Sequence, residues 1–347
     1  MKKVLTIVIA ALIVGAGALA YRHFDRIADK APGAASKPNV QPAADAAVNG
    51  TLSAGRIAYF QNPSTGESQR WRFGAGADTP TLEPMQAVDS NWSALVYAER
   101  GWAGDDAIVW RNAVGGELRL WRAGTGAAPV AAEIVPYTGD EWHVAALGDT
   151  DADGDADLVW VDRQGGVAVW TPDAGKVVEQ ASVGVSDASL RLTLAGDFDA
   201  DGRTELIWRS EDGSRATHWT LQGIGPATLR DMDPAGPDWQ PVGVVDLDGV
   251  AGDDVLWVSK TGQLVGWKGA DPANAVTLTR PAVGNWEFAG AVDVDGDGRG
   301  ELLWRESTGA LVGAWRLGED GNITDIALPP LDRAWTVVPR TLSAHCS

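Results

Sequence analysis

Cysteine, histidine and positive charge are all scarce in this chain of 347 residues. Cys346 is the single cysteine, so no intramolecular disulfide can form, and we expect an inert thiol in the C-terminal tail. The four histidines are scattered and make no metal-ligand cluster. Lys and Arg number 28 against 47 Asp and Glu, a net charge of -19. That balance argues against nucleic acid as a partner, because phosphate backbones need Lys and Arg for neutralisation.

Phenylalanine and tyrosine are also few, at 5 and 4, against 17 tryptophans. Tryptophan rarely dominates a generic core, so this imbalance indicates a structural device that recurs along the chain. The sequence lacks a nucleophile elbow, a phosphate-binding loop and paired catalytic carboxylates outside the acidic loops described below. We therefore expect a protein that binds rather than an enzyme.

The N-terminal segment predicts export. Lys2 and Lys3 precede an apolar run over residues 4–21, and Ala18-Leu19-Ala20 fits a signal-peptide cleavage site. Residues 1–21 are thus either a cleaved signal peptide or a hydrophobic helix that anchors the chain in the inner membrane. In both cases the bulk of the chain is periplasmic, on the cell surface or secreted. Residues 22–50 are rich in Ala and Pro and predict a flexible linker, which leaves 51–347 for the folded domain.

Tryptophan recurs with a period near 48 residues after the linker. Successive gaps in the first of three series are 50, 49, 49, 48 and 48. The three series are Trp71, Trp121, Trp170, Trp219, Trp267, Trp315; then Trp110, Trp160, Trp208, Trp257, Trp304; and finally Trp92, Trp142, Trp239, Trp286, Trp335, with Leu190 filling one place. Only Trp102 falls outside them. Such a period predicts a repeat protein.

Each repeat reads as four short strands, which predicts an all-β propeller. The clearest unit is WHVAALGDTDADGDADLVWVDRQGGVAVW, residues 142–170, in which an alternating strand, an acidic loop and a hairpin follow one another. A weaker apolar stretch after each unit supplies a fourth strand. The first strand pair lacks its own first strand, and the last strand, from Trp335, lacks its following pair. Joining the two closes a ring of six four-stranded blades without an open edge.

Three acidic loops carry carboxylates at positions 1, 3, 5 and 9, and we name them loops A, B and D. Glycine at position 6 permits a sharp turn, and the carbonyl at position 7 can supply a further oxygen. Five or more hard oxygens suit Ca²⁺ better than Mg²⁺. Position 12 is Trp rather than the bidentate Glu of an EF-hand. The predicted ligands are Asp149, Asp151, Asp153, Asp155 and Asp157 in loop A; Asp197, Asp199, Asp201, Arg203 and Glu205 in loop B; and Asp293, Asp295, Asp297, Arg299 and Glu301 in loop D.

The other repeats have lost parts of this pattern. Loop C, residues 246–254, keeps Asp246, Asp248 and Asp254 but has Val250 and Ala251 at positions 5 and 6, so it is a doubtful fourth site. Residues 99–107 have lost positions 3, 5 and 9, and we expect no ion there. The closing blade has no acidic loop.

The motifs DTDADGDADLVW, DFDADGRTELIW and DVDGDGRGELLW resemble the FG-GAP/VCBS repeat family, which includes the N-terminal propeller of integrin α subunits. The resemblance implies calcium sites at the bottom of the blades, between the first two strands, and a role in adhesion or assembly. The family usually has seven blades, so seven is the alternative to the six counted here.

The repeated features favour structural roles. Calcium in recurring loops is expected to hold the fold together rather than to switch adhesion, and the regular tryptophans are expected to pack between blades. We expect a protein or glycan ligand on the face opposite the calcium loops of a monomeric propeller. The alternatives are a carbohydrate-binding lectin and a non-catalytic module or scaffold of an envelope complex. His143 and His218 are expected to be surface or inter-blade residues rather than catalysts.

Overall fold

The computed structural model describes residues 56–74, 79–102, 105–114, 116–123, 130–135, 142–173, 176–280, 286–306, 311–318 and 321–339. The predicted signal segment and the whole of the predicted linker lie outside these ranges, so both stay predictions. Within the described part of the chain, no helix is long and apolar enough to span a bilayer.

The described residues form 24 strands and two short 3₁₀ helices, η1 (Lys268–Ala270) and η2 (Pro272–Asn274). The strands are β1 Ile57–Gln61, β2 Ser68–Arg72, β3 Thr81–Pro84, β4 Trp92–Trp102, β5 Asp105–Asn112, β6 Leu118–Ala123, β7 Val130–Val135, β8 Trp142–Gly148, β9 Asp157–Asp162, β10 Gly166–Asp173, β11 Lys176–Val185, β12 Leu190–Gly196, β13 Glu205–Ser210, β14 Ala216–Gln222, β15 Gly225–Met232, β16 Trp239–Val245, β17 Asp254–Ser259, β18 Leu264–Trp267, β19 Ala275–Thr277, β20 Trp286–Val292, β21 Glu301–Glu306, β22 Leu311–Leu317, β23 Ile323–Ile326 and β24 Thr336–Val337.

The strands make six antiparallel four-stranded sheets, which are the blades of a propeller. Blades 2 to 6 each use four consecutive strands, from β4–β7 to β20–β23. Blade 1 has the order β24-β1-β2-β3, so its first strand comes from the far end of the chain. The predicted count of six and the predicted closure are both confirmed.

An aromatic pair lies at the centre of every blade. The tryptophans of the second and third strands stack at 4.6 to 5.3 Å between ring centroids in blades 2 to 6, as in Trp160 with Trp170. In blade 1 Phe60 takes the second-strand position and lies 4.5 Å from Trp71. The pairs belong to clusters that join neighbouring blades, as expected for a device that packs blade on blade. The sequence analysis did not recognise Phe60, because the series of second-strand residues was defined by tryptophan.

The first strands surround a central cavity of about 500 Å³. Mostly small or apolar residues line it, among them Ala195, Val244 and Ala289. Each first strand runs from the blade's top, where the third tryptophan series stands, to the bottom, where the acidic loops begin. The ring therefore separates an aromatic end from an acidic end.

Candidate metal centres

The four acidic loops connect the first and second strands of four successive blades. Loop A joins β8 to β9, loop B joins β12 to β13, loop C joins β16 to β17, and loop D joins β20 to β21. They therefore lie side by side on one rim of the ring. The shortened motif at 99–107 differs, since β4 continues to Trp102 and β5 begins at Asp105, so a hairpin replaces most of the loop.

Carboxylates converge in each of the four loops. In every group, one oxygen from each residue lies within 4.8 Å of the others. The groups are Asp149, Asp151 and Asp157 in loop A; Asp197, Asp199, Asp201 and Glu205 in loop B; Asp246, Asp248 and Asp254 in loop C; and Asp293, Asp295 and Asp297 in loop D. Loop B thus gathers all four predicted carboxylates, whereas Asp153, Asp155 and Glu301 stand outside the groups of their loops.

The carboxylate at position 9 is fixed in the same way in all four loops. It is buried, and it accepts a hydrogen bond from the backbone N–H at position 2. The distance is 2.7 Å from Phe198 to Glu205 and 2.7 Å from Val294 to Glu301. In loop A the Thr150 hydroxyl also donates to Asp157. This bond folds the loop back on itself, and in loops A, B and C the first side chain of the second strand also joins the acidic group.

The carboxylate at position 1 caps the turn. In loops A, B and D it accepts from the glycine N–H at position 6, for example Gly202 to Asp197 at 3.0 Å. Loop C has Ala251 there, and within the described structure the buried Asp246 Oδ2 has no hydrogen-bond partner. The predicted glycine at position 6 does adopt a left-handed conformation, with φ of 88° at Gly154. Position 4 does so as well, with φ of 64° at Ala152, which the motif did not reveal.

Burial and mutual repulsion make these carboxylates hard to ionise. Burial raises the pKa of Glu205 to about 8, and the charges of Asp199 and Asp197 add to that rise. Burial likewise raises the pKa of Asp157 to about 7 and that of Asp254 to about 7, with nearby loop aspartates contributing. A bound cation would reverse the balance, because an opposite charge favours the ionised form.

Adjacent loops are tied together through the backbone. The position 1 carbonyl of one loop accepts from the N–H at position 8 of the next loop. Thr204 donates to Asp149, Asp253 to Asp197, and Gly300 to Asp246, each at 2.6 Å. The four acidic groups therefore share one continuous hydrogen-bonded rim.

The donor set fits a hard cation. Only oxygen ligands meet in each group, which suits Ca²⁺ or Mg²⁺ rather than a thiolate- or imidazole-seeking metal. Glu205 is 0% exposed, and its Oε1 is buried without a hydrogen-bond partner in the described structure. A buried carboxylate oxygen left unpaired is costly unless a cation meets it. Loop B is therefore the strongest candidate metal centre, and loops A, C and D can hold a metal ion through their clustered carboxylates.

Three of the four groups contact a positively charged side chain, which in loops C and D comes from outside the loop. Arg316 contacts loop D with Nη2 3.0 Å from Asp295 Oδ2 and Nε 3.3 Å from Glu301 Oε1. Lys268 Nζ lies 3.0 Å from Asp248 Oδ2 in loop C. The sequence analysis missed both residues, which lie well downstream of the loops they contact. In loop B, Arg203 contacts Asp201 at 3.4 Å from the solvent side.

Comparison with known proteins finds one family of repeats and several distantly similar structures. A family model for the FG-GAP-like repeat matches residues 149–208, which span loops A and B. No curated protein matches the sequence.

Several solved structures are similar to this chain at low sequence identity. The periplasmic gluconolactonase PpgL of Pseudomonas aeruginosa is 16% identical, with a TM-score of 0.47 over 82% of this chain and 86% of that one. BBS1N, in its complex with ARL6DN, is 13% identical, with a TM-score of 0.39 over 84% and 93%. A luciferin-regenerating enzyme is 10% identical, with a TM-score of 0.42 over 84% and 97%. Likeness at this level carries no argument about activity. The family match at loops A and B and the ring of six four-stranded blades together fit an FG-GAP repeat propeller.

Proposed function

We propose that this chain is an exported, calcium-stabilised propeller that binds a macromolecule, protein or glycan, through the face opposite the acidic loops. Calcium is a structural component in this proposal, and the protein acts by binding rather than by catalysis. The observation that carries it is the division of the ring into an acidic end and an aromatic end.

The acidic end supports the calcium component. Glu205, whose Oε1 is buried and unpaired among the described residues, groups with three loop aspartates, and a divalent cation between the four carboxylates would offset two of their four negative charges. Ca²⁺ accepts many oxygen ligands in a flexible geometry, whereas Mg²⁺ demands a near-ideal octahedron and keeps several waters. Because neighbouring loops are hydrogen-bonded to each other, an ion in one loop also steadies the next blade. Calcium in this proposal therefore stabilises the contact between neighbouring blades.

The aromatic end supports the binding component. The tryptophans that begin the first strands are buried in blades 2 and 3, but Trp239, Trp286 and Trp335 are partly exposed. These three stand on blades 5, 6 and 1, which are adjacent around the ring. Partly exposed tryptophan is enriched at binding surfaces because it offers a large apolar area and a polar N–H.

We name Trp239, Trp286 and Trp335 the aromatic surface, and the backbone that leads to Trp239 is held by a buried arginine. The Arg209 guanidinium donates to the carbonyl oxygens of Pro234, Gly236 and Trp239, at 2.9, 2.7 and 2.7 Å. Beside Trp335 lies an open cleft of about 420 Å³, lined also by Leu82 and Pro330. A surface fixed before binding loses less conformational entropy when a ligand docks.

A lectin is the second candidate, and the same three tryptophans favour it, because sugar rings pack on aromatic faces. A glycan array probed with the full-length chain in calcium chloride tests this. Glycan hits that disappear in Trp239→Ala and Trp286→Ala, but persist in the control Leu229→Ala on the outer strand β15, would support the lectin. An array without hits would exclude it and leave a protein ligand.

The protein-binding form is tested by crosslinking the same full-length variants in envelope fractions. One prominent partner lost in both tryptophan variants and kept in Leu229→Ala is the expected result. Identical crosslinks in all variants would overturn the assignment of this face. A separate measurement, the intact mass of the exported protein, shows whether residues 1–21 are cleaved as a signal peptide or kept as a membrane anchor.

A further inference from the structure

In each of the four blades that carry an acidic loop, one position faces that loop from the neighbouring strand. It is the residue directly after the third-strand tryptophan. In blade 4 this residue is Thr220, which pairs with Glu205 of loop B across the sheet. Continued by one residue beyond the tryptophan, the registers of the other three blades place Thr171 opposite Asp157, Lys268 opposite Asp254, and Arg316 opposite Glu301. Loops A and B therefore meet a neutral threonine, whereas loops C and D meet a cation.

In loop D the cation bridges two predicted calcium ligands. Arg316 binds Asp295 through Nη2 and Glu301 through Nε, and the Glu301 side chain is only 2% exposed. The bridged Glu301 lies outside the group formed by Asp293, Asp295 and Asp297, whereas the equivalent Glu205 joins its group in loop B. The difference between the two loops thus coincides with the exchange of Thr220 for Arg316.

In loop C the equivalent lysine makes a single contact, from Nζ to Asp248 Oδ2. The loop also uses both oxygens of Asp254, one for the Leu247 N–H and one for the Gly269 N–H, each at 2.8 Å. Gly269 belongs to η1, which begins at Lys268. Loop C is therefore closed by its own blade's third strand and the turn after it.

We infer that Lys268 and Arg316 are tethered cations that replace the divalent ion in loops C and D, so that only loops A and B bind calcium. This inference rests on the proposed calcium binding and names which loops perform it. An ammonium or guanidinium that is held there after the third-strand tryptophan supplies one positive charge to the carboxylates that it contacts. Arg203 of loop B differs, because it belongs to the loop itself and contacts Asp201 at 3.4 Å on the exposed side. A divalent ion would have to displace it from the same oxygens. The residue after the third-strand tryptophan thus determines the occupancy of each loop.

The experiment counts calcium ions per full-length chain by equilibrium dialysis, with calcium chloride as the probe. Wild type is expected to bind two ions tightly. Arg316→Thr should bind three, because loop D then has the threonine of loops A and B. Arg316→Lys keeps a positive charge and should remain at two. Thr220→Arg should bind one, and its melting curve in chelator shows whether the variant is folded.

The outcomes separate this inference from the proposed function. Three or four ions on wild type, or an unchanged count in Arg316→Thr, would overturn the tethered cations and leave calcium binding intact. A wild-type chain that binds none would overturn calcium binding itself. If Thr220→Arg does not fold, the gain of one ion in Arg316→Thr against Arg316→Lys still decides the matter.

Discussion

The buried imidazole of His218 should make the propeller sensitive to acid. His218 is 1% exposed, and neither ring nitrogen has a hydrogen-bond partner among the described residues. Its nearest aromatic neighbour is Phe198, with ring centroids 6.1 Å apart, and its cross-strand partner is Ile207. Burial, with a smaller contribution from Arg230, lowers its pKa from 6.5 to about 4. The fold therefore requires the neutral ring.

The size and sign of the effect follow from the two pKa values. The unfolded chain binds a proton on this residue below about pH 6.5, whereas the folded chain does so only below about pH 4. The contribution of the neutral His218 ring to stability is thus fully present above about pH 6.5 and is lost as the pH falls towards 4. A shift of about 2.5 units corresponds to roughly 3 kcal/mol of unfolding free energy.

The acidic loops produce the opposite trend when no calcium is present. The pKa of Glu205 is raised to about 8 and that of Asp157 to about 7. Their contribution is fully present below about pH 4, the unfolded range for carboxyl groups, and is lost as the pH rises through 7 to 8. The melting profile of wild type combines both trends, so the informative quantity is the difference between wild type and a variant without the histidine.

That variant is His218→Val, because Val169 holds the equivalent buried position in blade 3. We expect His218→Val to gain about 3 kcal/mol relative to wild type between pH 7 and pH 4, or roughly 6 °C in melting temperature. The measurement is thermal unfolding of both proteins in chelator across that range. His143→Gln, which removes an exposed ring on β8, is the control and should change the difference far less. Parallel pH profiles for wild type and His218→Val would refute the reasoning.

Three further predictions concern the loops, the core and a turn. Calcium at one hundred times its dissociation constant should stabilise wild type against unfolding by about 2.7 kcal/mol per site. In a calcium-dependent melting experiment, Glu205→Gln should lose the stabilisation that one site contributes. An equal calcium effect in both proteins would contradict the assignment of loop B. Trp160→Ala should lower the free energy of unfolding by about 3–5 kcal/mol, measured by denaturant unfolding. Trp160→Phe should lower it clearly less, because Phe60 fills this position in blade 1. Equal losses of stability in the two variants would argue against the stacked pair as a packing unit. Gly66→Ala should destabilise the fold more than Gly154→Ala. Both glycines have a positive φ, but a Cβ at residue 66 would clash with the Val88 carbonyl oxygen, whereas a Cβ at residue 154 would enter open space. A similar loss of stability in both variants would show that backbone strain alone decides.

The spacing of tryptophan was enough to predict the ring, because every blade repeats the same packing requirement. Closure by the C-terminal strand also followed from the sequence, since the first strand pair and the last strand each lacked a partner. Phe60 was not recognised because it keeps the packing role of tryptophan without its identity. The propeller thus depends on an aromatic ring at this position more than on indole itself.

The acidic loops were predictable only as local patterns. Carboxylates at positions 1, 3 and 9 are brought together by hydrogen bonds within nine residues, so loop C forms its group without the residues at positions 5 and 6. Arg316 could not be found in this way, because it meets Glu301 through the register of two paired strands, 15 residues apart in the chain. The charge that distinguishes loop D from loop B is therefore encoded outside the motif.

The two-residue strand β24 has a consequence for the order of folding. Its pairing with β1 joins residues 275 positions apart, as in the bond from the Thr336 hydroxyl to the Gln61 carbonyl at 3.1 Å. Bringing such distant residues together costs about 5 kcal/mol of chain entropy, whereas the hairpins of blades 2 to 6 form between near neighbours. Contacts this remote form late. The chain is therefore expected to pass through an open arc of five complete blades, and the last and slowest event is the docking of residues 336–339 against β1 and β4.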